Sequence, residues 1–209
     1  KIMANQAWVI TVDMGYGHQR AAFPLRDMAY EKVITANSQK VMTDKEWKKW
    51  NRLQAMYESI SRLKSVPIIG GLLWNIYDKF QSISPYYPFR DLSKPSFGSI
   101  YINNLIKKGF LKSIVDYTKK KELPMVSTFY ATALASAHAK LKTYCVVTDT
   151  DINRIWVSEK PKENKIVYLT PSDRATNRLV QYGIPRKNII FTGFPLPKEN
   201  IGKNMKILN

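Results

Sequence analysis

Several features that often indicate a function are scarce in this 209-residue sequence. Its single cysteine, Cys145, excludes an internal disulfide framework and is typical of a reducing cytosol. No apolar run approaches the roughly 20 residues that a membrane-spanning helix needs. The apolar stretch at Trp8–Val12 is too short for a signal peptide and ends at Asp13. We expect a globular cytoplasmic protein without a transmembrane segment and without a metal site.

Acidic residues are also scarce, since 16 Asp and Glu stand against 33 Lys and Arg, a formal net charge of +17. Residues 38–122 alone carry 16 basic and 7 acidic side chains. Such an excess favours anionic partners: nucleic acid, anionic lipid or phosphorylated small molecules. The sequence begins with Lys1 rather than Met, and we therefore expect a piece of a longer protein.

Short β-like runs alternate with helix-like runs along most of the chain, which predicts an α/β fold with a parallel sheet covered by helices. The predicted strands are Ala7–Asp13, Lys32–Ala36, Met125–Thr128, Tyr144–Thr148, Lys165–Leu169 and Asn188–Phe191. The predicted helices among them are His18–Glu31, Tyr130–Leu141 and Ser172–Tyr182.

Residues 43–122 do not follow this alternation, because they contain no convincing buried strand. From Asp44 to Lys64 apolar residues recur every three or four positions, which predicts an amphipathic helix with a basic opposite face. An aromatic run broken by glycine and proline follows. A second helix is predicted over about Phe97–Lys121.

The most informative stretch is WVITVDMGYGHQRAA, residues 8–22, where a buried strand ends in two glycines and a histidine. Ligands of open parallel sheets bind beyond the carboxyl ends of the strands. Glycines there allow close approach of the backbone, and the following helix end favours negative charge. The stretch matches neither the dinucleotide fingerprint nor the P-loop. His18 would be able to accept a proton from a hydroxyl. The alternative is that Gly15 and Gly17 form a tight turn and His18 caps the helix.

Three stretches resemble the lipid glycosyltransferases that include monogalactosyldiacylglycerol synthase and the processive diacylglycerol glucosyltransferases. They are VDMGYGHQRAA, YCVVTDTDINRIWV (residues 144–157) and VYLTPSDRATNRLVQYGIPRKNIIFTGFPL (residues 167–196), in the family's order. The bacterial enzyme that adds N-acetylglucosamine to the lipid-linked peptidoglycan precursor is a more distant relative. The resemblance covers most of the chain when the helical segment is included.

The resemblance implies the N-terminal half of a glycosyltransferase with two facing Rossmann-like domains, the GT-B architecture. Residues 1–195 would form the acceptor domain, with residues 43–122 as a helical insert, and residues 196–209 would begin the interdomain linker. The C-terminal domain that holds the nucleotide-sugar, a UDP-hexose in such enzymes, would be absent. This domain alone would then bind no cofactor and would be inactive without its missing half.

The family's site residues carry over to the matching positions of this sequence. His18 and Asp149 would be catalytic, with Asp149 as a base or as the residue that orients one. An N-cap or a turn acid is the alternative for Asp149. The acceptor or the donor diphosphate would contact Gly15, Tyr16, Gly17 and Asn153. Thr128 is a further candidate for this contact, and a surface or turn residue is the alternative for it. Asn153 stands where many relatives have histidine, and an amide can donate a hydrogen bond but cannot exchange protons.

A lipid acceptor requires contact with a membrane, and residues 43–122 have suitable aromatic and basic side chains. The residues expected at an anionic membrane surface are Trp47, Lys48, Lys49, Trp50, Trp74, Tyr77 and Phe80. The alternative is that the tryptophans pack into the core of the domain and the lysines form a solvated face.

Two other functions remain open at this stage. The charge of +17 is compatible with nucleic-acid binding, but no helix-turn-helix, zinc or RNP pattern supports it, so no nucleic acid is expected. A non-catalytic Rossmann module that binds a phosphorylated ligand is the second. The resemblance favours a peripheral, cytoplasmic enzyme that transfers a hexose from a nucleotide-sugar to diacylglycerol or a glycolipid.

Overall fold

Six parallel strands form the sheet of the protein. The computed structural model describes residues 6–63 and 82–201. The strands are β1 (Trp8–Thr11), β2 (Ile34–Thr35), β3 (Met125–Ser127), β4 (Thr143–Val146), β5 (Val167–Thr170) and β6 (Ile189–Phe191). Their order across the sheet is β2-β1-β3-β4-β5-β6, and every neighbouring pair is parallel. The prediction of an α/β, Rossmann-like arrangement is confirmed, and each strand end lies within two residues of its predicted position.

Helices surround the sheet. They are α1 (Tyr16–Ala22), α2 (Asp44–Leu63), α3 (Phe97–Lys107), α4 (Lys112–Thr118), α5 (Tyr130–His138), α6 (Asp173–Gln181) and α7 (Lys198–Ile201). Short 3₁₀ helices occupy Phe23–Met28, Arg154–Trp156 and Arg186–Asn188. The helix predicted over Ser172–Tyr182 is observed as α6, and the chain leaves it at Gly183 with φ 88°.

Two predicted helices are interrupted in the structure. The helix predicted over His18–Glu31 ends at Ala22 and continues as a 3₁₀ helix, because Pro24 has no N–H with which to continue the α-helical hydrogen bonding. The helix predicted over Phe97–Lys121 is two helices. The chain turns between them at Gly109 and Leu111, whose φ angles are 88° and 66°.

The strands bury side chains on both faces, as a covered parallel sheet requires. The larger core lies on the face that packs against α2 to α6 and includes Trp8, Ile10, Met125 and Tyr168 from the strands. The smaller core lies on the other face, where α1 and the 3₁₀ helix after it cover the sheet. Helices α1 and α5 therefore lie on opposite faces.

This arrangement creates a switch point between β1 and β3, which are neighbours in the sheet. The connection after β1 leads to α1 on one face, and the connection after β3 leads to α5 on the other. Such divergent connections leave a crevice outside the carboxyl ends of the two strands, where ligands of open α/β sheets bind.

Candidate functional site

The loop after β1 borders open space at this crevice. Gly15, the N-cap of α1, has φ 99° and ψ 159°, a backbone conformation that residues with a Cβ rarely adopt. A Cβ added at Gly15 or at Gly17 would meet no atom within 4 Å. Tyr16, between them, is 81% exposed. The loop therefore presents backbone and one aromatic ring to solvent at the edge predicted for ligand binding.

His18, in the first turn of α1, is fixed by the end of the neighbouring strand β3. Its Nδ1 lies 2.7 Å from the carbonyl oxygen of Thr128. A carbonyl oxygen can only accept a hydrogen bond, so Nδ1 must carry the proton. The hydroxyl of Thr148, which follows β4, lies 3.4 Å from the same nitrogen. The ring of Phe129 packs edge-on against the imidazole at 5.1 Å.

These contacts decide which form of the imidazole is present. Burial lowers the pKa of His18 below its ordinary value, although the bond to Thr128 and the charge of Asp149 act in the opposite direction. The neutral ring is thereby favoured near neutral pH. With its proton on Nδ1, the neutral ring has a free electron pair on Nε2, and Nε2 can act as a base. No described residue provides Nε2 with a hydrogen-bond partner.

Asp149 follows β4 at the same edge of the sheet. Partial desolvation of its carboxyl group raises its pKa, and the nearby His18 opposes this shift. The two residues predicted as catalytic are therefore near enough for the charge of each to influence the pKa of the other. A carboxylate in this position stabilises an imidazolium that forms when His18 accepts a proton.

Thr128 acts through its backbone rather than through its side chain. Its carbonyl oxygen holds His18, while its hydroxyl donates to the hydroxyl of Thr11 at 3.1 Å inside the sheet. Both threonines are buried. Thr128 was predicted to contact a ligand. In the structure its carbonyl oxygen positions His18, and its side chain is buried.

Two residues of the connection after β4, Asn153 and Arg154, form hydrogen bonds within the protein. Asn153 caps the 3₁₀ helix Arg154–Trp156, its Oδ1 accepting the N–H of Ile155 at 3.3 Å. Arg154 is buried and donates to the carbonyl oxygens of Val157 and Ser93, at 2.8 Å each. These contacts fix the loop that carries Asp149.

The tryptophans of α2 face the protein, which corrects part of the expected membrane contact. Trp50 is only 4% exposed and stacks on Phe110 with the ring centres 5.8 Å apart, so it has no surface to offer a membrane. Trp47 is partly buried against the same core. Lys48 is exposed and Lys49 partly so. Trp74, Tyr77 and Phe80 lie outside the described residues.

Thr148 and Phe129 were not predicted as site residues, although both contact His18. The available signal was their position, since each is next to a predicted site residue at the carboxyl end of a strand. Thr148 was assigned to the end of the predicted strand Tyr144–Thr148, and Phe129 lies between a predicted strand and a predicted helix.

A second exposed feature is a cluster of three aromatic rings, Tyr86, Tyr87 and Phe89, referred to as the aromatic cluster. The three ring centres are 4.6 to 5.0 Å apart and meet edge-on. Tyr87 is 67% exposed and Phe89 58%. The cluster therefore presents apolar ring surface to solvent in a defined arrangement.

The aromatic cluster is attached to α6 through Tyr86. Asn177 donates to the Tyr86 hydroxyl at 3.1 Å, and the guanidinium groups of Arg174 and Arg178 each lie 5.3 Å from the ring centre. Arg178 is fully buried and binds both carboxylate oxygens of Asp151, at 2.8 and 2.9 Å. The cluster therefore packs on α6, the helix that follows β5.

No family model, curated protein or solved structure matches the chain. Among the described residues, no helix combines the length and the apolar character needed to cross a bilayer. Within the same residues, no group of three or more His, Cys, Asp or Glu side chains is arranged to hold a metal ion.

Proposed function

We propose that this chain is the acceptor-binding domain of a glycosyltransferase that moves a hexose from a nucleotide-sugar to a membrane lipid. The three sequence stretches that resemble lipid glycosyltransferases support the class of enzyme. The observation that carries the proposal is the bond from His18 Nδ1 to the Thr128 carbonyl oxygen at the switch point of the sheet. This bond leaves Nε2 as the basic atom of the imidazole.

In the proposed reaction, Nε2 of His18 takes the proton of the acceptor hydroxyl. The hydroxyl oxygen forms a bond to the anomeric carbon of the donor sugar, and the bond between that carbon and the diphosphate oxygen breaks. The electron pair of the broken bond leaves with the diphosphate. Asp149 stabilises the imidazolium until its proton is lost to solvent. The donor itself would be held by the second domain that the resemblance implies.

The aromatic cluster supports contact with a lipid surface. Tyrosine rings settle at the headgroup level of a bilayer, where their polar and apolar parts are both accommodated. Arg90 and Arg174, both exposed, adjoin the cluster in sequence or in space. Arginines beside exposed rings favour an anionic membrane surface. The cluster thus replaces Trp50 as the proposed point of membrane contact, and we propose a peripheral enzyme.

Catalysis is tested in the full-length protein that carries this chain, with radiolabelled UDP-glucose, UDP-galactose and UDP-N-acetylglucosamine and vesicles containing diacylglycerol. The chain has two histidines, which provides a matched control. We expect His18→Asn to lower the rate of lipid glycosylation by roughly 10²–10⁴-fold, as loss of a general base does. His138→Asn, on an exposed residue at the end of α5, should retain the rate. Full activity of His18→Asn would favour the non-catalytic module instead.

Membrane contact is tested by flotation with phosphatidylcholine vesicles with and without phosphatidylglycerol. We expect the double variant Tyr87→Ser, Phe89→Ser to float less than the wild type. Phe191→Ser is the control, since Phe191 is 54% exposed on strand β6. Equal flotation of the double variant and the wild type would show that the aromatic cluster is not the point of membrane contact. Binding to RNA or DNA alone in an electrophoretic shift would exclude the lipid function.

A further inference from the structure

A pocket of about 370 Å³ lies between the first turns of α2 and the turn that joins α3 to α4. We refer to it as the lysine pocket. The charged side chains that line it are Lys45, Glu46, Lys49, Lys108, Lys112 and Asp116. Four lysines therefore line the pocket together with two acidic residues.

Both carboxylates are already engaged by the protein. Glu46 accepts the N–H of Ser113 at 3.2 Å and the hydroxyl of Thr43 at 3.3 Å, and the Ser113 hydroxyl also donates to it. Asp116 forms ion pairs with Lys112 and, at 3.9 Å, with Lys119. These contacts bind the two acids to neighbouring backbone and side chains.

The four lysines and two carboxylates that line the pocket give its lining a net charge of +2. Lys45, Lys49 and Lys108 form no ion pair with a carboxylate in the part of the chain that the structure describes. Lys49 lies 5.5 Å from the centre of the Phe110 ring, which also lines the pocket. Like charges gathered in one concave site repel each other unless an anion lies between them.

The fold keeps this arrangement in place without a ligand. The turn at Gly109 and Leu111 brings Lys108 at the end of α3 close to Lys112 at the start of α4. Leu111 is fully buried and anchors the turn in the core. Trp50, stacked on Phe110, fixes α2 and with it Lys49. The cost of gathering the charges is therefore met by buried apolar contacts.

We propose that the lysine pocket binds a phosphate group. An ammonium group acts as a point charge toward phosphate oxygens, and Lys45, Lys49 and Lys108 all line this one cavity. The phosphate comes either from a soluble phosphomonoester or from the headgroup of an anionic lipid. The proposal is independent of sugar transfer, since a chain without transferase activity would still bind phosphate here.

Binding is measured by ¹H–¹⁵N NMR on the chain, with the indole N–H of Trp50 as the probe beside the pocket. The indole donates to Gln54 at 3.2 Å, and its ring stacks on Phe110. Inorganic phosphate and glycerol 3-phosphate are the soluble probes. Sedimentation with phosphatidylcholine vesicles that contain phosphatidic acid, compared with phosphatidylserine, tests the lipid source.

The variant for this test is Lys45→Gln, Lys49→Gln, Lys108→Gln. Its control is Lys162→Gln, Lys165→Gln, Lys187→Gln, which removes the same charge from exposed lysines outside the pocket. We expect the pocket variant to bind whichever probe the wild type binds at least about tenfold more weakly. The control should bind that probe like the wild type. Saturation by the soluble probes identifies a phosphomonoester, whereas retention on phosphatidic acid vesicles alone identifies a lipid headgroup. Equal loss in both variants, or no binding of any probe by the wild type, would overturn the proposal.

Discussion

The Nδ1 atom of His18 lies 2.7 Å from the carbonyl oxygen of Thr128, although 110 positions separate the two residues in the chain. The parallel pairing of β1 with β3 makes this contact possible, because it brings the carboxyl ends of both strands to one edge. The contact selects the tautomer of the imidazole and defines Nε2 as its basic atom. The first two predictions concern this group.

His18 is expected to titrate below its ordinary pKa of about 6.5. Burial is the main cause, since it disfavours the charged ring. As the pH falls through about 6.5, the unfolded chain takes up this proton before the folded protein does. The contribution of His18 to the free energy of unfolding is therefore complete above that pH and decreases below it. NMR titration of the imidazole resonances, assigned with His138→Asn, measures the pKa. A midpoint at or above 6.5 would contradict the proposed environment.

Asp149→Asn is expected to lower the pKa of His18 further. The carboxylate of Asp149 raises that pKa by stabilising the imidazolium, and the amide has no charge with which to do so. The same NMR titration measures the change. Asp173→Asn, an exposed acid at the start of α6, is the control and should leave the midpoint in place. An unchanged midpoint in Asp149→Asn would show that the two groups do not interact.

Gly183→Ala is expected to destabilise the protein by about 1–3 kcal/mol, the usual cost of a side chain held in a disfavoured backbone conformation. The φ of Gly183 is 88°, and its new Cβ would lie 3.0 Å from Pro161 Cγ and from Ser93 Cβ. Thermal unfolding measures the effect, with roughly 2–4 °C per kcal/mol for a chain of this size. Gly17→Ala is the control, since its Cβ would meet no atom within 4 Å. Equal melting temperatures for the two variants would be the contrary result.

Asp151→Asn is expected to cost about 3–5 kcal/mol of unfolding free energy, because it leaves the fully buried guanidinium of Arg178 without a carboxylate. Chemical denaturation provides the measurement. Glu163→Gln removes an exposed partner of Lys160 and should change little, as exposed ion pairs contribute little. A wild-type stability for Asp151→Asn would show that Arg178 does not depend on the pair.

The Asp151 variant should also change the response to acid. Burial acts to raise the pKa of Asp151, but hydrogen bonds from Arg178 and Arg174 outweigh it, and the pKa is lowered. The stability that this group contributes is present above its unfolded pKa of about 3.9 and is lost as the pH falls through the folded value. The difference in stability between wild type and variant should therefore shrink in strong acid.

The sheet and its candidate site were largely predictable because short-range patterns determine them. Buried β-branched runs define the strands, and an all-parallel sheet then brings Gly15, His18 and Asp149 to one edge. The break between α3 and α4 was not predictable from periodicity, because Leu111 adopts a left-handed conformation that leucine seldom takes. The direction of the tryptophan face of α2 was also undetermined, since an amphipathic pattern is the same whether a core or a bilayer covers it. The stack of Trp50 on Phe110, which shows that a core covers this face, joins residues 60 positions apart, and local periodicity does not predict such a contact.

Because all six strands are parallel, the loops that follow them all begin at the same edge of the sheet. In the loop after β1, Val12 is buried in the core whereas Tyr16 is 81% exposed. Exchange of Tyr16 should therefore preserve the melting temperature while altering what the crevice admits.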